Sequence, residues 1–189
     1  FSQLIASEPN MDEDTRKEFS AIIQKNTEEL MQLVNDVLDL SRLEANMMKF
    51  QIQEYDAVAL CNDAIYMARM RNEETIEIYF DTHIETQPIT TDTGRLIQAL
   101  VSTLTYPQKN TAHREITFTL TRDDSGKQIC FRISNSPLAD PEFNSQEVSI
   151  RHDINRLLLQ HFGGSYNITA DEQERPVINF TYPLDIISE

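Results

Sequence analysis

Tryptophan is absent from the 189-residue chain, cysteine occurs twice and glycine four times. Two cysteines cannot frame a disulfide-stapled scaffold. Cys61 in a predicted helix and Cys130 in a predicted strand read instead as buried thiols of a reducing compartment. Gly94, Gly126, Gly163 and Gly164 are each taken by a helix cap or a turn, so none remains for a phosphate-cradling loop. No apolar run approaches the roughly eighteen residues of a membrane span, and no signal peptide is visible. The chain begins at Phe1 rather than Met, which points to an excised fragment. Positive charge is scarce: 16 Lys and Arg stand against 31 Asp and Glu, for a formal charge of -15. With no basic cluster, the chain repels phosphate backbones and anionic lipid surfaces, so neither nucleic acid nor direct membrane contact is expected. The histidines are scattered, and His152 and His161 point to opposite sides of one predicted helix, so no metal site follows.

What is present is strong periodicity. "FSQLIAS" reads as the end of a helix, broken by Glu8 and Pro9. A long helix follows over about residues 14 to 47. Asp12 is a candidate N-cap, and Thr15 with Glu18 has the capping-box pattern. Phe19, Ile23, Leu30, Leu33, Val37, Leu40 and Met47 recur at a spacing of about 3.5 residues, with Ile22, Val34 and Leu38 widening the stripe and Asn26 on the seam. Such a helix would be about 50 Å long and needs partners. Two copies of a helical hairpin would close a four-helix bundle.

Beyond a boundary near residues 48 to 53 the period changes. "KFQIQEYD" alternates like an edge strand, and "DAVALCNDAIYMARM" predicts a helix burying Val58, Leu60, Cys61, Ala64, Ile65 and Ala68. "ETIEIYFD" alternates again. "DTGRLIQALVSTLTYP" predicts a helix stopped by Pro107 near Tyr106, "EITFTLT" and "QICFRIS" a hairpin about "RDDSGK", and "SIRHDINRLLLQHFGG" a helix closed by Gly163. "SYNITA" and "VINFTYPL" are two more strands. The expected fold is α+β: a helical hairpin over residues 1–50, then, over 51–189, a sheet covered by helices on one side only.

The run "ELMQLVNDVLDLSRLEANMMKFQIQEYD" resembles the second helix of the dimerisation and phosphotransfer hairpin of sensor histidine kinases of two-component systems, together with its exit into the kinase domain. "DTGRLIQAL" is similar to the helix that opens the nucleotide site of the ATPase domain shared with gyrase-type and heat-shock ATPases. The resemblance covers essentially the whole chain and implies a histidine-kinase-type ATPase sandwich, ATP and Mg²⁺ as the family's cofactors, a homodimer through the hairpin, a response-regulator receiver domain as partner, and a cytoplasmic location.

At the positions matching the family's nucleotide boxes the residues differ. The Mg²⁺-ligating Asn is Tyr106, and an earlier Asn of that box is Ser102. Lys109 and Thr111 match. The Asp that reads adenine is Asn135, and "SPLAD" stands in place of glycines, with Ala139 at one of them. The second glycine turn, expected at a helix start where free N–H groups hold phosphates, is Ser149 to His152, with Arg151 as a possible anion partner and a lid shortened to "PEFNSQEV". No phosphoacceptor His lies in the hairpin, so no catalytic residue is assigned within this chain.

Three expectations follow. The first is a module with a degenerate nucleotide site that works by dimerisation and docking, with no cofactor held by this chain. The second is an active autokinase, with a divergent site, acting on an upstream His. The third is a peptide- or ligand-binding protein on a similar sandwich, with Phe143 as its candidate anchor. Acidic pairs such as Asp36 with Asp39 read as solvated helix faces.

Overall fold

Asp12 opens the first helix, its carboxylate accepting from the Thr15 backbone N–H at 2.9 Å and from the Thr15 hydroxyl at 2.7 Å. The cap is therefore Asp12 and not a Thr15–Glu18 box; Thr15 already lies inside the helix, where its N–H is one of the orphan donors an N-cap satisfies. The computed structural model describes residues 12–72, 75–106 and 112–184. "FSQLIAS" and the Pro107 stop lie outside these residues.

The elements are α1 (Glu13–Glu44), β1 (Ile52–Asp56), α2 (Ala57–Asn72), β2 (Ile76–Thr82), β3 (Pro88–Asp92), α3 (Thr93–Leu104), β4 (Arg114–Arg122), β5 (Gln128–Ser134), α4 (Gln146–His161), β6 (Ser165–Ala170) and β7 (Pro176–Pro183), with 3₁₀ turns at Pro137–Ala139 and Pro141–Phe143. The main sheet is mixed and five-stranded, ordered β2-β4-β5-β7-β6. β2 pairs parallel with β4, and the other pairs are antiparallel.

Each central strand buries one face. In β4, Ile116, Phe118 and Leu120 are fully buried while Glu115, Thr117 and Thr121 face solvent. Phe131, Phe180 and Tyr182 continue this layer, and α2 and α3 cover it with Leu60, Ala64, Leu96, Leu100 and Leu104. Each fully buried large side chain contributes about 1.5–3 kcal/mol.

Several expectations are corrected. "KFQIQEYD" does not edge the main sheet: β1 pairs with β3 in a separate two-stranded sheet. β3, "PITTD", carries no clean alternation because Ile89, Thr91 and Asp92 are all buried. α3 ends at Leu104, with Thr105 extended. α4 begins at Gln146, capped by the Ser145 hydroxyl, so the last three residues of the expected lid, Gln146 to Val148, are the first turn of a helix. Val58 is only partly buried. Cys61 is buried and Cys130 half-buried, both free. The end of α4 is as expected: Gly163 has φ +74° and bonds Gln160 O, while Gly164 N bonds Leu159 O, a Schellman closure. Gly164 is required for a further reason, since a Cβ there would stand 2.1 Å from Thr181 O.

α1 contributes little to this core. Leu30, Met31, Val34, Val37 and Leu38 are exposed, with Leu30 at 60%. The last turns of α1 pack instead on α4, burying Leu43, Asp36 and Asp39, with Asp39 reaching Arg95 of α3. In the segment leading to β1, Phe50 stacks on His161 at 4.2 Å and meets Phe162 edge-on at 5.1 Å.

Candidate functional site

Two regions collect the residues singled out in the sequence. The first lies between the end of α3 and the exit of β5. Asn135 leaves β5 with φ +61°, a conformation Asn tolerates better than most residues, and its side-chain amide donates to Glu115 O at 2.8 Å. Ser136 is fully buried and donates its hydroxyl to Thr103 O at 2.5 Å, tying the β5 exit to α3. Pro137 then opens a 3₁₀ turn in which Pro137 and Leu138 are buried, Leu138 within the main core. Ala139 is half-buried, its N–H bonded to Ser136 O.

Tyr106 stands opposite. Its hydroxyl donates to Ala112 O at 2.7 Å, its ring meets Phe143 edge-on at 5.6 Å, and the Arg114 guanidinium lies 5.8 Å from its centroid. Arg114 is ion-paired with Asp140 and also donates to Asn135 O at 3.4 Å. Phe143, the candidate anchor, is thus partly buried against Tyr106 rather than presented to a partner. Lys109 and Thr111 lie outside the described residues.

The second region is a cavity of about 110 Å³ between α1, α3 and α4, lined by Asp36, Asp39, Arg95, Ser102, Arg151 and Asn155 among others. Ser102 faces this cavity, donating to Ala99 O at 2.7 Å and accepting from Asn155 Nδ2 at 3.1 Å. Behind Asn155, Tyr166 and His152 are joined by a 2.5 Å hydrogen bond. Burial pushes the Tyr166 phenol up and His152 down.

Two expectations fail here. Ser149 and Arg151 do not sit at a helix start: α4 has already begun, and the Ser149 N–H is bonded to Ser145 O at 3.1 Å. Arg151 turns toward α1, with Glu147 at 2.5 Å and Asp36 at 3.7 Å. Asp36 and Asp39, read as a solvated face, are buried. Asp39 is ion-paired with Arg95 and lies 3.6 Å from Arg42. Asp36 accepts from Gln32 at 2.7 Å. Its carboxyl is held above the usual range, mainly by burial, with Gln32 and Arg151 opposing and Asp39 adding to the rise. Sequence spacing put these carboxylates off the apolar stripe, and their long-range partners, Arg151 of α4 for Asp36 and Arg95 of α3 for Asp39, accompany their burial.

The structure thus separates the sequence-selected residues. Tyr106, Asn135 and Ala139 surround the first region, Ser102 and Arg151 line the second, and Ser149 is exposed on the outer face of α4. The residues that pattern alone missed are Arg114, Asp140, Arg95, Asp36 and Asp39. An alternating charge in strand or helix carries no signal of its partner.

No protein-family model matches the chain. Among curated proteins it is similar to hybrid signal transduction histidine kinase A of Dictyostelium discoideum, 26% identical over 119 residues, which is 62% of this chain and 6% of that protein. It is also similar to the uncharacterised sensor-like histidine kinase ycf26 of Pyropia yezoensis, 36% identical over 73 residues, 38% of this chain and 11% of that protein. The chain therefore spans only a small part of the curated relatives it matches. Among solved structures, the Acinetobacter baumannii histidine kinase AdeS superposes with a TM-score of 0.69 at 14% identity, over 97% of this chain and 91% of that one. Histidine kinase ThkA in complex with the response regulator protein TrrA superposes with a TM-score of 0.65 at 16% identity, over 95% of this chain and 54% of that one. The fold is that of histidine kinases, a helical region followed by the mixed sandwich of their ATPase domain.

Proposed function

We propose, for a chain whose sequence relatives are histidine kinases and whose fold is theirs, that it is a kinase-core segment of a two-component sensor in which side chains fill the nucleotide site. Its work is then dimerisation through α1 and relay of a signal by docking a response-regulator receiver domain in the cytoplasm, without ATP or Mg²⁺ held by this chain.

The observation that carries this reading is the packing around Tyr106. Its hydroxyl is committed to Ala112 O and its ring to Phe143. A neutral phenol is in any case a poor ligand for Mg²⁺, which takes hard oxygens in strict octahedral geometry. Where the family's glycines bring backbone close to a nucleotide, Pro137 offers no N–H and Leu138 is 1% exposed within the core. A base entering there would have to expel Leu138. These residues do not fit ATP with Mg²⁺.

Dimerisation is supported by the exposed apolar run Leu30, Met31, Val34, Val37 and Leu38, whose contiguity on one long helix is the mark of an interaction surface. Docking of a receiver domain is supported by the ThkA complex with TrrA.

A thermal-shift titration with ATP and ADP, each with and without Mg²⁺, tests the reading, with no shift expected. Nucleotide at about a hundredfold excess over its dissociation constant would stabilise the fold by about 2.7 kcal/mol, which for this size is about 5–10 °C. A shift of that size would refute the filled-site reading and put an autokinase acting on an upstream His in its place.

A further inference from the structure

Beside the first region, at the start of β4 on the open face of the sheet, Glu77, His113 and Glu115 each bring one ligand-type atom to within 4.8 Å of the others. Strand geometry produces the cluster. β2 and β4 run parallel with Glu77 directly opposite Glu115. His113 precedes Glu115 by two residues and leaves the chain on the same face, since side chains alternate. All three are exposed, and β2 is an edge strand of the sheet.

Two carboxylates opposite one another across a ladder repel. Among the described residues, His113 is the one basic side chain within ion-pair range of either. Its Nε2 stands 3.7 Å from Glu77 Oε1, too far for a hydrogen bond. Two ligands sharing a tetrahedral first-row cation, each bound at about 2.1 Å, lie about 3.4 Å apart, so a small adjustment closes the site. Tyr79, on the same face of β2, donates its hydroxyl to Glu77 Oε2 at 2.6 Å. That bond leaves Oε1 toward His113, as outer hydrogen bonds commonly orient metal-binding carboxylates.

We propose that Glu77, His113 and Glu115 form a three-ligand site for a borderline divalent cation of the Zn²⁺ class, with water completing the shell. The imidazole nitrogen selects this class over Mg²⁺ and Ca²⁺, which take oxygen ligands. The cation relieves the Glu77–Glu115 repulsion and ties the edge strand β2 to β4. Scattered spacing in the sequence hid the site because it is assembled across two strands.

Calorimetric titration of the full chain with Zn²⁺, in the unaltered protein and in H113A, E115Q and H83A, tests it. One Zn²⁺ per chain is expected. H113A and E115Q each weaken binding on the order of 100-fold, and H83A, at an exposed histidine outside the cluster, leaves it unchanged. The altered side chains are exposed, and far-UV circular dichroism verifies that each variant is folded. Several weak sites equal in all four proteins would reveal diffuse attraction to an acidic chain and overturn the proposal. So would the absence of saturable binding.

Discussion

Replacing Arg151 with methionine tests how α1 is held on the sandwich. Asp36 is 4% exposed, accepts one hydrogen bond from Gln32, and has the Arg151 Nε at 3.7 Å as its facing cation. Arg151→Met leaves a buried carboxylate supported by one amide, at a cost of about 3 kcal/mol, or about 6–12 °C in Tm for a chain of this size. Asp36→Asn removes the charge but keeps the Gln32 bond, and Arg151 keeps Glu147 at 2.5 Å, so stability changes by no more than about 1 kcal/mol. The double variant recovers about 2 kcal/mol relative to Arg151→Met alone, a coupling typical of contacting residues. Scanning calorimetry on the four proteins measures the cycle. Asp36→Asn as costly as Arg151→Met, with additive effects in the double variant, would refute the account. The pH dependence has a definite sign. A carboxyl whose folded pKa is raised binds its proton more tightly folded than unfolded, so its contribution is fully present below the ordinary carboxylate range and is lost as pH rises through the raised value. The unaltered protein therefore loses Tm relative to Asp36→Asn as pH climbs across that window.

Leu30→Glu places a charge in the exposed apolar run of α1 and lowers the dimer fraction seen by light scattering; an unchanged mass would remove that surface from the dimer. Tyr106→Asn restores the family residue at one position but leaves Pro137 and Leu138 in place, so ATP with Mg²⁺ still produces no thermal shift. Gly164→Ala forces a Cβ against Thr181 O and costs about 1–3 kcal/mol in urea unfolding, in the range of overpacked sites. Leu100→Ala, at a side chain with no exposure, costs about 2–5 kcal/mol by the same measurement.

The elements with one clean apolar face were legible in the sequence. β2, β4, β5 and β7 alternate because only one side of the sheet is covered, and α3 shows its stripe because it packs flat on that side. β3 was not legible because it buries the polar Thr91 and Asp92 together with Ile89, which leaves no apolar alternation to read. The start of α4 was misplaced because its N-cap is Ser145, whereas the family pattern drew attention to Ser149. Asp36 and Asp39 were misread for a different reason. Charge at helical spacing predicts solvent only when nothing packs on it, and what packs on it here comes from more than fifty residues away, from Arg95 and Arg151. Long-range ion pairs leave no periodic trace.

That long-range pairing bears directly on nucleotide chemistry. A triphosphate needs cationic groups free to neutralise it in the transition state. Arg114 is held by Asp140, Arg95 by Asp39, and Arg151 by Glu147 and Asp36. These three guanidiniums flank the two regions that face α3, and each is taken by a carboxylate of the chain itself. A phosphate could recruit one only by displacing its carboxylate, and for Arg151 that would leave Asp36 buried against α4 without its cation, at about the same 3 kcal/mol cost as the methionine substitution. Under the proposed reading, the ion pairs that dock α1 add an energetic barrier to nucleotide binding beside the packing of Tyr106 and Leu138. On the filled-site reading, Tyr106→Asn combined with Asp36→Asn and Asp140→Asn should still give no thermal shift with ATP and Mg²⁺, because Leu138 stays in the core, and a shift in that triple variant would show that the ion pairs and not Leu138 bar the nucleotide.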